Sequence, residues 1–118
     1  MKVRVIPTEV HAALDYLASA ANLAFPRLLG LGDEPWAVLV PRIDGLAGAG
    51  YSLLTDYELG ALRIVPMPFH LALDAAKGIF MAASPWLFGF AKKGTRYWLV
   101  HVLMGTADVV VAMTTRMR

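Results

Sequence analysis

Two copies of one polar pair, a histidine followed four residues later by an aspartate, give this sequence its clearest chemical signal. The pairs are His11 with Asp15 and His70 with Asp74. A spacing of four places both members of a pair on one face of a helix. Imidazole and carboxylate groups in a membrane can relay protons, bind a cation or ligate a cofactor. They can also hold helices together through hydrogen bonds, and this structural role is the favoured interpretation.

Five more ionisable residues interrupt apolar stretches and extend the candidate set: Arg42, Asp44, Lys77, His101 and Asp108. Asp108 lies near the end of the last apolar stretch, so we expect it on the same side as the two His–Asp pairs. Arg42, Asp44 and His101 lie deeper. A charge near a bilayer centre costs at least about 2.5–3.5 kcal/mol, so pairing across helices is expected. Lys77 is one turn from Asp74, which favours an ion pair within the helix.

The chain contains no established catalytic pattern, neither a nucleophile elbow nor a phosphate-binding loop nor a zinc-protease motif. It also contains no cysteine, which excludes disulfides, thiolate catalysis and iron–sulfur clusters. We therefore predict that the protein is not an enzyme, with no metal site and no cofactor assigned. Net charge is only +2, so a nucleic-acid partner is not expected.

An internal duplication organises these residues. Residues 4–31 align with residues 63–90 at an offset of 59, and ten of the 28 positions are identical, including prolines and both His–Asp pairs. After a one-residue gap, Gly45 aligns with Gly105. This pattern predicts two tandem repeats, at about 4–56 and 63–115, within one membrane domain that covers 1–118.

Each repeat contains two apolar segments of helical length, which predicts an all-α fold. The segments run over about 8–25, 35–55, 68–84 and 96–114. Thr8 is the expected N-cap of the first helix, and Pro68 suits the first turn of the third. Pro26 and Pro85 fall where the first and third helices are expected to stop.

The composition favours membrane-spanning helices over a soluble bundle. Hydrophobic residues make up 58% of the chain and charged residues 17%, against about 45–50% and 25% in ordinary soluble domains. A soluble four-helix bundle is the alternative, and it needs a polar outer face. Stretches 16–25, 45–54 and 78–90 are apolar on every side, so four transmembrane helices are predicted.

Two tandem hairpins give the first and third helices the same direction. The repeats are then parallel and related by a pseudo-twofold axis along the membrane normal. Both termini and the central link lie on one side, with Lys2, Arg4, Arg63, Arg116 and Arg118. This small excess over four basic residues on the other side favours cytoplasmic termini. No apolar run precedes Pro7, so no cleavable signal peptide is expected.

The segment Ser84-Pro85-Trp86 resembles the motif of the SPW-repeat family of small integral membrane proteins. In that family the motif closes the first helix of a two-helix repeat, which is its position here. The first repeat has Phe25-Pro26-Arg27 instead and lacks the tryptophan. The resemblance implies a four-helix integral membrane protein and carries no established activity.

Three functions remain open, in order of preference. The first is a non-enzymatic scaffold or accessory subunit of a membrane complex, which binds the lipid bilayer and a membrane-protein partner or a second copy of itself. The second is a small channel, transporter or proton-handling protein that uses the paired His and Asp residues. The third is a protein that binds haem, a chlorin or a metal through its histidines.

Overall fold

Four α-helices make up most of the structure, a computed structural model that describes residues 3–117. They are α1 (Thr8–Leu28), α2 (Pro35–Leu53), α3 (Met67–Leu87) and α4 (Thr95–Thr114), with one 3-10 turn at Ala91–Lys93. Within the described residues the only β-type pairings are two isolated bridges, so the predicted all-α class is confirmed. Lys2 and Arg118, counted above among the basic residues, lie outside the described range.

Two predicted helix ends and one predicted cap are wrong. Helices α1 and α3 continue through Pro26 and Pro85 to Leu28 and Leu87. A proline in the last turn removes only its own donor, and the chain beyond it still bonds, as Leu29 N–H does to Phe25 O at 2.9 Å. Thr8 is the first helical residue of α1 rather than its N-cap. Its hydroxyl instead donates to Glu58 at 2.9 Å, in the segment between α2 and α3.

The helices associate as two hairpins, α1 against α2 and α3 against α4. Glycines allow the close approach within each hairpin. A Cβ atom on Gly45 of α2 would lie 2.8 Å from the backbone oxygen of Ser19 in α1. A Cβ atom on Gly105 of α4 would lie 2.6 Å from the backbone nitrogen of Ala82 in α3. Small residues therefore let the two backbones of each hairpin touch.

One end of the bundle is closed by short backbone pairings. Ile6 is bridged to Thr115, and Thr55 is bridged to Val65. Tyr57, in the segment that links the hairpins, is buried at this end. We call this end of the bundle the terminal end, because the residues near both chain termini meet there. The opposite end carries the two turns within the hairpins, and we call it the turn end.

Large apolar side chains in the middle of the helices face outward. Leu17, Leu46, Ile79 and Leu103 are each more than half exposed. By contrast, His11, Asp44, His70 and Asp74 are buried. Within the described part of the chain, one helix, α4, is long and apolar enough by composition to cross a membrane.

Candidate functional site

The two predicted His–Asp pairs meet at the terminal end in one buried cluster. Helices α1 and α3 each contribute a histidine and the aspartate one turn later. His11 Nε2 lies 2.8 Å from Asp74 Oδ2 and 3.1 Å from Asp15 Oδ1. His70 Nε2 lies 2.9 Å from Asp15 Oδ2 and 3.1 Å from Asp74 Oδ2. Each imidazole therefore faces both carboxylates, and we call these four residues the His–Asp cluster.

One threonine holds the outer nitrogen, Nδ1, of each imidazole. Thr115 Oγ1 lies 2.7 Å from His11 Nδ1 and donates its own proton to Val111 O at 2.6 Å. Thr55 Oγ1 lies 2.6 Å from His70 Nδ1 and donates to Tyr51 O at 2.7 Å. A hydroxyl has only one proton, so each threonine must accept from the histidine. Both Nδ1 atoms therefore carry a proton, and both Nε2 atoms face inward.

Two tyrosines hold the carboxylates from outside the cluster. Tyr57 Oη donates to Asp15 Oδ2 at 2.8 Å, and Tyr51 Oη donates to Asp74 Oδ1. Burial, together with the nearby Asp15 charge, raises the pKa of the Tyr57 phenol well above its usual range. The phenol is therefore a stable proton donor to the carboxylate.

One polar atom of the cluster lacks a hydrogen bond. His70 is fully buried, and its Nε2 has no partner of suitable direction among residues 3–117. Two carboxylate oxygens lie within 3.1 Å of it, but neither lies along its hydrogen-bonding direction. One ligand atom from each of the four residues lies within 4.8 Å of all the others. This donor set has the composition and compactness of a metal site.

A second polar centre lies beside the cluster, toward the middle of the bundle. Lys77 Nζ donates to Asp108 Oδ2 at 2.7 Å and to Asp44 Oδ1 at 3.0 Å. Asn22 donates to the same Asp44 oxygen at 3.0 Å. All four helices contribute to this group, which we call the Lys77 centre. The expected pair of Lys77 with Asp74 is wrong, because the amino group reaches across to α2 and α4 instead.

The remaining predicted residues lie in different places. Asp108 binds Lys77 rather than a histidine, although it lines a cavity of about 320 Å³ that also reaches His11, Asp15 and Asp74. His101 is buried, and its Nε2 lies 2.9 Å from Ala37 O. Of the residues expected to pair across helices, Asp44 does so through Lys77 and His101 does so through a backbone oxygen.

Arg42 does not pair as expected. It is exposed, and within residues 3–117 its side chain makes neither an ion pair nor a hydrogen bond. It lines a cavity of about 920 Å³ near the turn end, together with Arg27, Arg96, Asp33 and Tyr97. The long stem of arginine lets its head reach toward the helix end. In the part of the chain that the structure describes, Arg42 therefore has no acceptor on another helix, contrary to the prediction, and lies in a cavity that it shares with two other arginines, Arg27 and Arg96.

At the turn end, Asp33 accepts hydrogen bonds from Tyr97 and Lys93. The Tyr97 hydroxyl, and after it the Lys93 ammonium, lower the pKa of the exposed Asp33 carboxyl. The Ser84-Pro85-Trp86 motif lies on the α3 side of this end. Ser84 Oγ donates to Met81 O at 2.7 Å, whereas Trp86 is 60% exposed.

Sequence reasoning missed the outer partners of the cluster: Tyr51, Thr55, Tyr57 and Thr115. The two threonines could have been found from the sequence, since they lie 60 positions apart, the same separation as Gly45 and Gly105 in the self-alignment. The tyrosines have no such signal. Asn22, which supports the Lys77 centre, was also missed.

A family model described as the SPW repeat domain matches residues 9–115. No curated protein and no solved structure has significant similarity to the chain.

Proposed function

The chain belongs to the SPW repeat family, and from that membership we propose a non-enzymatic membrane scaffold or accessory subunit. Membership in this family suggests a small membrane protein. In the proposal all four helices cross the bilayer as two tandem parallel hairpins. The buried polar groups fix the helices in register, and the outer surface contacts lipid and a membrane-protein partner or a second copy of the chain.

The observation that carries this proposal is the orientation of side chains around the bundle. Mid-helix leucines and isoleucines are exposed, while the aspartates, histidines and lysine of the helix interiors point inward. Water would favour the reverse, because exposed apolar surface is unfavourable there. A bilayer favours this arrangement, since unpaired charges are costly in hydrocarbon and apolar side chains are not. Among the helices of residues 3–117, α4 alone is long and apolar enough by composition to cross a membrane. The outward apolar side chains of α1, α2 and α3 support the proposal that these helices cross as well.

Matching contacts in the two halves support the tandem arrangement. Thr115 bonds His11, and Thr55 bonds His70, so each threonine holds the histidine of the other half. The bridges Ile6–Thr115 and Thr55–Val65 follow the same exchange. Contacts that repeat at the sequence offset are typical of an internal pseudo-twofold axis.

A structural role is supported by the way the polar groups are used. Each carboxylate of the His–Asp cluster lies within 3.1 Å of imidazole nitrogens from both hairpins, and Lys77 joins α3 to α2 and α4. Such contacts fix helix positions in a bilayer, where burial of apolar surface no longer drives association. Cytoplasmic termini remain part of the proposal, on the balance of basic residues alone.

A proton-handling function is the second candidate. It is favoured by the closeness of the two polar centres, which Asp74 and Lys77 of α3 bring together about one turn apart. His11 of the first centre and Asp108 of the second both line the cavity of about 320 Å³. Reconstituted liposomes distinguish the candidates, because proton or cation flux dependent on Asp74 would support transport and contradict a purely structural role.

Single-cysteine labelling tests the topology cleanly, because the natural chain has no cysteine. Three variants suffice: Leu62→Cys in the link, Lys92→Cys in the second turn and Leu46→Cys in the middle of α2. With an impermeant thiol reagent we expect Lys92→Cys to react in intact cells. Leu62→Cys should react only after the membrane is opened.

Leu46→Cys is the decisive variant. Leu46 is 64% exposed, so in a water-soluble bundle it would react as fast as Leu62→Cys. In a bilayer it should stay unreactive until detergent is added. Fast reaction of Leu46→Cys in opened membranes would contradict the membrane proposal, and exchanged behaviour of the other two would reverse the orientation alone.

Isolation from the native membrane in mild detergent tests the accessory role. Mass spectrometry should identify a partner at fixed stoichiometry, or size analysis should give a homo-oligomer. A solitary monomer that conducts protons in liposomes would contradict the role. An absorption spectrum of the same preparation tests for haem or a chlorin.

A further inference from the structure

We propose that His11, Asp15, His70 and Asp74 form a tetrahedral binding site for one divalent transition-metal ion of the Zn²⁺ class. Imidazole nitrogens and carboxylate oxygens are ligands that Zn²⁺ accepts, and a site with four protein ligands is typical of structural zinc. The proposal rests on side-chain geometry and holds whether or not the accessory role is correct.

The spacing of the donor atoms fits the ion. In a tetrahedron with bonds of about 2.0–2.1 Å, ligand atoms lie about 3.3 Å apart. The four nitrogen–oxygen distances in the cluster are 2.8, 2.9, 3.1 and 3.1 Å. These nitrogen–oxygen pairs therefore need to separate by a few tenths of an ångström. All the donor atoms lie within 4.8 Å of one another, so any wider pair needs to approach by at most about 1.5 Å, which side-chain rotations can supply.

The unsatisfied nitrogen of His70 points to a ligand. A fully buried imidazole nitrogen without a suitable partner is costly. It lies beside the two carboxylates, and the ring centre of His11 is 5.3 Å from the ring centre of His70. A metal ion among the four groups gives this nitrogen a bond along its lone pair, which the present contacts do not provide.

The outer partners are those that metal sites require. Each ligating histidine needs its other nitrogen held by an acceptor, and each carboxylate benefits from a donor. Thr115 and Thr55 accept from the two Nδ1 atoms, while Tyr57 and Tyr51 donate to the two carboxylates. All four ligands are thus oriented before any ion binds.

Charge and access agree with a divalent cation. When an ion binds, it replaces any proton on the two Nε2 atoms, and each imidazole keeps its proton on Nδ1 and is neutral. The two carboxylates then carry a charge of −2, which one divalent ion balances. The cavity of about 320 Å³ between α1 and α4 opens toward His11, Asp15 and Asp74. Three of the four proposed ligands thus line a space next to the cluster from which an ion would approach them.

The test uses the full chain in mild detergent, stripped with a chelator and then titrated with Zn²⁺ and separately with Co²⁺. We expect one Zn²⁺ per chain, a higher melting temperature and the visible bands of tetrahedral Co²⁺. Mg²⁺ and Ca²⁺ should give none of these effects. Failure to bind Zn²⁺ or Co²⁺ at one per chain would overturn the proposal.

Two ligand variants and one matched control locate the ion. His11→Gln and His70→Gln should abolish the tetrahedral Co²⁺ bands. His101→Gln removes an equally buried histidine outside the cluster and should keep one Zn²⁺ per chain. Retention of the bands in both ligand variants, or their loss only in His101→Gln, would contradict the assignment.

Tyr57→Phe keeps the test decisive if the histidine variants fail to fold. It keeps the ring in place and removes only the donor to Asp15. We expect Zn²⁺ affinity to fall about 10-fold, as for other outer partners of metal ligands. Unchanged affinity would contradict the proposed site. If the chain binds zinc but is water-soluble, only the membrane proposal is contradicted. If the chain inserts into membranes but does not bind zinc, only the zinc-site proposal is contradicted.

Discussion

The His–Asp cluster takes one histidine and one aspartate from each hairpin, whereas the Lys77 centre takes its charges from residues without counterparts in the other half. At the repeat offset, Asp44 corresponds to Met104, Lys77 to Ala18 and Asp108 to Gly48. Both centres are buried between the same four helices. One is symmetric and consists of matched pairs, and the other is asymmetric and consists of single charges.

This difference has a physical consequence. In the cluster, the matching residues of the two hairpins lie next to one another, so each histidine lies beside both aspartates. A lone charge such as Lys77 has no copy to meet and depends on acceptors that the other helices supply. The symmetric cluster should therefore lose stability gradually as members are removed, and the Lys77 centre should fail when its single cation is lost.

The largest expected effect is that of Lys77→Met. It leaves Asp44 and Asp108 buried without their shared cation, and removing one partner of a buried ion pair costs about 3–5 kcal/mol. We expect the free energy of unfolding in detergent, measured with denaturant, to fall by about that amount. Adding Asp44→Asn and Asp108→Asn should restore most of it, because the uncompensated charges are then gone. A fall in unfolding free energy of less than about 1 kcal/mol would show that the Lys77 charge is not required to stabilise this centre.

The symmetry of the cluster is tested by His11→Gln and His70→Gln, measured with a chelator present. Each removes one imidazole that bonds a threonine and faces two carboxylates, so each should cost about 1.5–3 kcal/mol of unfolding free energy. Both imidazoles bond a threonine and lie beside the same two carboxylates, so the two losses should agree within about 1 kcal/mol, the contribution of the one hydrogen bond to Asp74 that His11 makes and His70 lacks. The double variant should cost less than the sum, since the two residues share partners. A large inequality would break the comparison by showing that one half dominates.

Much of the cluster was predictable from the sequence, because its members fall at matching positions of the two similar segments, 4–31 and 63–90. The repeated spacing of His11/Asp15 and His70/Asp74 gave the four residues and their common end of the bundle. The Lys77 centre was not predictable, since the nearest acceptor along the helix, Asp74, is already held by His11 and Tyr51. Competition of this kind is visible only in three dimensions.

The helices themselves followed from apolar length and turn residues, but their ends did not. Proline at 26 and 85 predicted stops, and each helix continues to residue 28 or 87. A backbone hydrogen bond from the residue after the helix to the carbonyl four residues earlier is unaffected by proline in between, so the last turn persists. Single-residue propensities do not contain that information.

Helix contact within each hairpin gives the next, smaller effect. Gly105→Ala places a methyl group against the backbone of Ala82, 2.6 Å from its nitrogen, and Gly45→Ala places one 2.8 Å from Ser19 O. Moving backbone atoms away is unfavourable, so each substitution should lower the free energy of unfolding by about 1–3 kcal/mol. Gly50→Ala is the matched control, since nothing lies within 4 Å of its Cβ position. A destabilising Gly50→Ala, or neutral Gly105→Ala, would contradict close packing as the cause.

The smallest effect is expected at the exposed Asp33 at the turn end. With Lys93, Asp33 forms a solvent-exposed ion pair against which the two buried centres can be compared. The folded-state pKa of Asp33 is lowered, first by the Tyr97 hydroxyl and then by Lys93. A lowered pKa means that the ionised carboxyl stabilises the fold above its ordinary pKa, near 4, and that this contribution is lost as pH falls through the folded-state value. The difference in melting temperature between the natural chain and Asp33→Asn should therefore be constant near neutral pH and shrink below about pH 4.

Tyr97→Phe provides the internal control for that pH dependence. It removes the largest cause of the lowered pKa while Lys93 still contacts the carboxyl. In the Tyr97→Phe background the Asp33-dependent difference should be smaller and should disappear at a higher pH, closer to the ordinary pKa of an aspartate. Because this site is exposed to solvent, its whole contribution should stay below that of either histidine of the cluster. An Asp33 effect as large as that of His11→Gln would mean that burial is not what separates the two polar centres from the surface, and the comparison between them would lose its physical basis.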